Sequence, residues 1–185
     1  MKNKVLSATI SLSFVFTLSG CFTPPPPPPP KVYKNPNDKE AIKMVLNSVG
    51  NNNLSGNALI KQQGGGIVTC AGNEVALFPK TDYSKEYLQY EFENEYYSYG
   101  YFSNGKGYKK SWNYLKNPYP KDSKITVCDS QGNFEFQNLI DGTYYVLTVV
   151  TWTVPGKYGG SDQGGNMLQE VELKNGTTKK IVLSE

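Results

Sequence analysis

The 185-residue chain contains no histidine and no arginine; all 19 of its basic residues are lysines. Without histidine it lacks the usual general base near neutral pH, any Ser-His-Asp arrangement and the commonest metal ligand. Without arginine it lacks the bidentate donor that reads phosphates and guanine edges. Charge of either sign is nearly balanced: setting aside Lys2 and Lys4 leaves 17 lysines against 16 acids, too little for an electrostatic nucleic-acid binder. Long apolar runs are missing as well. Val5 to Leu18 falls short of the roughly 20 residues a membrane-spanning helix needs. Cysteine is scarce, with Cys21, Cys70 and Cys128 alone. Aromatics and turn formers are abundant instead. The 14 Tyr and 8 Phe must supply much of the core, and the 18 Gly and 12 Pro point to many turns and few long helices. These features favour a non-enzymatic protein with no cofactor and no metal.

Lys2 and Lys4 form a basic n-region before the apolar stretch, as in a secretory signal peptide. The stretch ends in Leu18-Ser19-Gly20-Cys21, which resembles the bacterial lipoprotein signal, the lipobox. That resemblance implies a signal peptide over 1–20, cleavage that leaves Cys21 as the first residue, and lipidation of Cys21 by diacylglyceryl and acyl (palmitate-type) chains. At roughly 0.8 kcal/mol per buried CH₂, three chains would hold the protein on a membrane. The alternative is a free or disulfide-paired Cys21. Phe22, rather than Asp, follows the cysteine, which favours the outer membrane in a Gram-negative envelope. Pro24 to Pro30 should form a polyproline II stalk about 22 Å long; an SH3-type ligand is the other reading. The polar linker continues to residue 57. It holds a possible short helix over 39–49, capped by Asp38, with Ile42, Val45, Leu46 and Val49 on one face and Gly50 as its stop.

From Ala58 onward, short β-type runs alternate with Gly, Asn, Asp and Pro clusters. Strands are predicted over 58–63, 66–70, 74–79, 124–128, 133–137, 143–154, 167–173 and 178–183. Gln131-Gly132-Asn133 and Asn175-Gly176 are hairpin-type turn signals. This spacing suggests a β-sandwich over 58–185, with a less regular insert over 80–124 that opens on a helix capped by Thr81 or Asp82.

Two segments resemble the carboxypeptidase regulatory-like domain. One runs from Gly65-Gly66-Ile67-Val68 through Gly72 to Val75-Ala76-Leu77-Phe78-Pro79. The other runs from Cys128-Asp129-Ser130-Gln131-Gly132-Asn133-Phe134-Glu135-Phe136 to Leu139, then Asp141-Gly142-Thr143-Tyr144. The resemblance implies a transthyretin-like or Ig-like antiparallel sandwich of about seven strands, non-catalytic, serving binding, adhesion or support. The residues agree with that expectation. Asp129 and Gly132 suit a turn, Phe134 and Phe136 share one face, and 143–154 looks buried on both faces and central. The insert over 80–124 and the cysteines at 70 and 128 depart from the family pattern.

With Cys21 lipidated, Cys70 and Cys128 remain as an even pair in an exported protein, which points to a disulfide; the alternative is two buried thiols. The insert carries two candidate features. Glu86, Glu91, Glu93 and Glu95 could form paired carboxylates but fit a solvated acidic face better. Tyr96, Tyr97, Tyr99, Tyr101, Phe102 and Trp112 could anchor a protein or stack on sugars; the alternative is a second small core. The Gly-rich stretch from Gly156 to Gly165 matches no phosphate-binding motif and reads as a flexible loop. Together these features favour a lipid-anchored accessory of the envelope. Its partners would be the membrane, through the anchor, and an envelope protein or glycan, with no nucleic acid. A secretion-machinery tether, a mobile-element surface-exclusion lipoprotein and a carboxylate hydrolase are the alternatives.

Overall fold

The computed structural model describes residues 38–62, 64–92, 107–110, 120–157 and 159–184. It is mainly β, with two antiparallel-rich sheets facing each other as a sandwich. The first sheet is built on β1 (Asn52–Lys61), whose even-numbered residues are buried and whose odd-numbered ones face outward. β9 (Thr178–Ser184) runs parallel to one edge of β1. The other edge is shared lengthwise between two antiparallel partners. β6 (Asn133–Leu139) takes Asn52 to Asn57, and β2 (Ile67–Thr69) takes Leu59 to Lys61. Ala58 is the point of exchange: its N–H donates to Gly132 O at 3.1 Å and its C=O accepts the Cys70 N–H at 3.0 Å.

The second sheet has the order β4 (Gly107–Lys110), β8 (Gly159–Leu173), β7 (Gly142–Gly156), β3 (Glu74–Pro79), β5 (Lys124–Val127). Alternation along β7 sends Tyr144, Val146 and Val150 into the sandwich with Leu54, Phe134, Phe136, Val171 and Ile181. Tyr145 and Leu147 point the other way, where they join Ala76, Phe78 and Leu88 of α2 (Asp82–Phe92). Each large apolar side chain buried in this way contributes about 1.5–3 kcal/mol. Tyr144 to Thr148 are all buried, as expected of a central strand covered on both faces.

α2 begins where its capping chemistry lies. On α2, the Thr81 Oγ1 accepts the Ser84 N–H at 3.1 Å while the Ser84 Oγ accepts the Thr81 N–H at 2.7 Å. Thr81 is therefore the cap, and Asp82 is the first helical residue. Asp38 is the first residue of α1 (Asp38–Asn47) rather than its cap: its carboxylate accepts the Tyr83 N–H of α2 at 3.2 Å and so links the two helices.

The structure revises several boundaries. β1 starts at Asn52, six residues before the predicted Ala58, because its small polar side chains alternate with buried partners despite their low strand propensity. α1 ends at Asn47, which leaves Val49 84% exposed rather than on the buried face. There the Gly50 N–H donates to Asn138 O at 2.9 Å, and a Cβ at Gly50 would collide with the Leu139 backbone. The Gly-rich segment after Gly156 is not a loop but half of a β7–β8 ribbon paired from Gly142↔Leu173 to Gly156↔Gly159. Glycine lets it run close to its neighbours: a Cβ at Gly164, which has φ +103°, would meet Val150 O. Nine strands are present among the described residues, including β4, which lies within the insert.

Both turn signals reverse the chain, but neither makes a hairpin. Asn175 and Gly176 have φ of +59° and +69°, the signs of a type I′ turn. They pass the chain from β8 in one sheet to β9 in the other, and the Asp129–Gly132 turn likewise carries it from β5 to β6.

Candidate binding face

Among the residues singled out from the sequence, Cys70 and Cys128 form a disulfide. Cys70 follows β2 in the first sheet and Cys128 follows β5 in the second. Their Cα atoms are 5.8 Å apart and both residues are buried. The adjoining turn holds them in place: the Gly72 N–H donates to Cys128 O at 3.1 Å and the Cys128 N–H to Asn73 O at 3.0 Å. Cys21, Tyr96, Tyr97, Tyr99, Tyr101, Phe102 and Trp112 lie outside the described residues, as do Glu93 and Glu95. Glu86 and Glu91 lie on α2. Among the described residues no cluster of metal-ligating side chains occurs, and no helix is long and apolar enough to cross a membrane.

The most organised polar surface is the outward face of the first sheet, which the sequence reading did not select. α2 packs on the second sheet; here Glu135, Gln137, Lys180 and Val182 are exposed. Asn53, Ser55 and Asn57 alternate with buried Leu54 and Gly56, so all three point outward along β1 and are half-buried. Ser55 pairs with Lys180 of β9 on one side and with Glu135 of β6 on the other. Two strand spacings, about 9–10 Å, separate the backbones of that lysine and that glutamate, and the Glu135 Oε1 accepts the Gln137 Nε2–H at 3.0 Å. The short Ser55 thus floors a shallow trough with a cation on one wall and an anion on the other.

The two amides along the trough are held in opposite senses. The Asn138 N–H donates to Asn53 Oδ1 at 3.3 Å, so Asn53 presents its NH₂ group. The Asn57 Nδ2 donates to Gln131 O at 2.9 Å and to Asn133 Oδ1 at 3.1 Å, so Asn57 presents its carbonyl. The turn behind Asn57 is fixed by Asp129, whose Oδ1 accepts the Gln131 and Asn133 N–H groups, each at 2.8 Å. The Asn133 side chain, then its backbone N–H, hold the Asp129 carboxyl below its ordinary pKa. The Asp-Ser-Gln-Gly-Asn turn read from the sequence therefore orients a side chain on a strand 74 residues earlier. Only Leu54 is apolar over 52–57, so the alternation of burial there left no signal for this face in the sequence.

The fold is a two-sheet sandwich with α2 packed on one face and a polar trough on the other. No family model and no curated protein matches the chain. Among solved structures, it is similar to a "putative carbohydrate binding protein" from Pseudomonas aeruginosa. The match covers 84% of this chain and 100% of that one, with a TM-score of 0.59 and 20% identity. At that identity the likeness is one of fold.

Proposed function

We propose that this protein is a non-enzymatic, lipid-anchored module of the bacterial envelope that binds carbohydrate. The observation that carries the binding half is the open polar trough on the first sheet, in a sandwich similar in fold to a protein described as carbohydrate binding. Carbohydrate recognition needs many positioned hydrogen-bonding groups and no general base, which suits a chain without histidine. The anchoring half rests on Leu18-Ser19-Gly20-Cys21 and on the seven prolines that follow Thr23. In this reading Cys21 carries the lipid, Pro24–Pro30 lifts the sandwich from the membrane, and the aromatic insert over 80–124 supplies a second contact surface.

Two measurements test it. Mass analysis of the N-terminal peptide should find Cys21 as an acylated first residue, and Cys21→Ser should move the protein from the membrane to the soluble fraction. An unmodified Cys21 in the membrane-extracted protein would overturn the anchor. The purified protein should retain at least one oligosaccharide class on a glycan array; retention of none would overturn the carbohydrate reading.

A further inference from the structure

We infer that the trough over Ser55 is the sugar site, and that it takes an uncharged oligosaccharide rather than an anionic one. This rests on the carbohydrate reading above and assigns it to residues. Along β1 the exposed groups run donor, hydroxyl, acceptor: the Asn53 NH₂, the Ser55 Oγ and the Asn57 carbonyl, at the two-residue repeat of about 6.8 Å. Across the strands they run cation, hydroxyl, anion, through Lys180, Ser55 and Glu135. Both rows cross at Ser55.

Such a cross of alternating donors and acceptors suits a ligand whose every polar group both donates and accepts, as sugar hydroxyls do. The two amides are held by backbone groups on their far sides, so their free ends are set before any ligand arrives, which reduces the ordering cost of binding. The charges also select. Lys180 and Glu135 cancel over the trough, so a polyanion or a polycation gains no net attraction there to offset the desolvation of its charges. An uncharged chain meets one charged donor and one charged acceptor without that cost. None of these five residues is aromatic, so affinity rests on hydrogen bonds rather than ring stacking and is modest.

The test uses the whole purified protein with three probes: cellotetraose, chitotetraose and the anionic tetragalacturonate, titrated calorimetrically. At least one of the two uncharged probes should bind, and tetragalacturonate should not. Asn53→Asp keeps the oxygen that accepts the Asn138 N–H and replaces the presented donor with a carboxylate oxygen. It should weaken binding by roughly tenfold with an unchanged melting temperature. Ser55→Tyr fills the trough at a strand position that tolerates aromatics and should weaken binding at least as much. Unchanged affinity in both folded variants would place the sugar elsewhere and overturn this inference while leaving carbohydrate binding intact. Tighter binding of tetragalacturonate would overturn the uncharged class. Retention of no saccharide, here or on the array, would overturn the inference together with the reading beneath it.

Discussion

The Asn52 Nδ2 donates to Asp141 Oδ1 at 2.9 Å and to Leu139 O at 3.0 Å, while its Oδ1 accepts the Thr177 N–H at 2.8 Å. Asp141 Oδ1 also accepts the Asn175 N–H at 3.1 Å. One fully buried side chain on β1 thereby joins the β6–β7 connection to the β8–β9 connection. Asn52→Leu leaves the Thr177 N–H and the Leu139 carbonyl without these partners. The expected cost is about 2–4 kcal/mol, measured by urea unfolding with an unchanged m-value. A loss below 0.5 kcal/mol would mean that other groups satisfy these backbone atoms.

The disulfide closes a sequence separation of 58 residues between the two sheets. Replacing Cys70 and Cys128 together by Ser should cost up to about 4 kcal/mol by the chain-entropy relation. The same loss should appear when the wild-type protein is unfolded under reducing conditions. If reduction leaves the unfolding midpoint in place, the bridge contributes nothing to stability.

Gly56 sits on β1 directly against the ring of Phe134, where a Cβ would overlap the ring atoms. Gly56→Ala should cost about 1–3 kcal/mol through overpacking. Phe134→Leu alone should also destabilise, by opening space in the core. In the double variant the new methyl occupies part of that space, so the combined loss should be smaller than the sum of the single losses. Additive losses would show that the ring is not what excludes the methyl.

The Tyr144 hydroxyl donates to Ile140 O at 2.9 Å, four residues upstream. Burial, then the Asp141 charge, raises the Tyr144 phenol above its ordinary pKa; burial, then Glu170, does the same for Tyr145. The folded state thus holds these protons more tightly than the unfolded chain does. Their effect on stability is constant below about pH 10 and turns unfavourable as pH rises beyond it, where the unfolded chain ionises first. Unfolding free energy should therefore fall above about pH 10. Tyr144→Phe should lose about 1 kcal/mol at pH 7 and show a shallower alkaline decline. An alkaline slope identical to the wild type would remove Tyr144 as a cause.

Much of the strand pattern was legible. Glu74–Pro79 is predicted and observed with the same ends, because Val75, Leu77 and Phe78 lie between an acidic residue and a proline. Asn133–Leu139 opens where the Asp129–Gly132 turn releases the chain, and the buried Phe134 and Phe136 follow from period-2 alternation. The start of β1 was hidden because Asn52, Asn53 and Asn57 look like linker, and only their backbone partners on β6 and β9 make them strand. Of the β7–β8 ribbon, 143–154 and 167–173 were predicted as strand, and the Gly-rich start of β8 was hidden because glycine predicts a loop wherever nothing pairs with it, and here a 15-residue strand does.

By itself the sequence determined most of the segments that extend and where the chain turns, since side-chain alternation, proline and Asn-Gly or Asp-x-x-Gly chemistry act over a few residues. It also left Cys70 and Cys128 as the even pair once Cys21 was set apart. Only the tertiary structure decided which strands become neighbours. A type I′ turn at Asn175-Gly176 reverses the chain equally well into a hairpin or across to the other sheet, and β1 is what draws β9 across. The same holds for the trough. Asn53 and Asn57 are chemically identical in the sequence, and one presents a donor and the other an acceptor because Asn138 and Gln131, more than seventy residues away along the chain, hold their opposite ends.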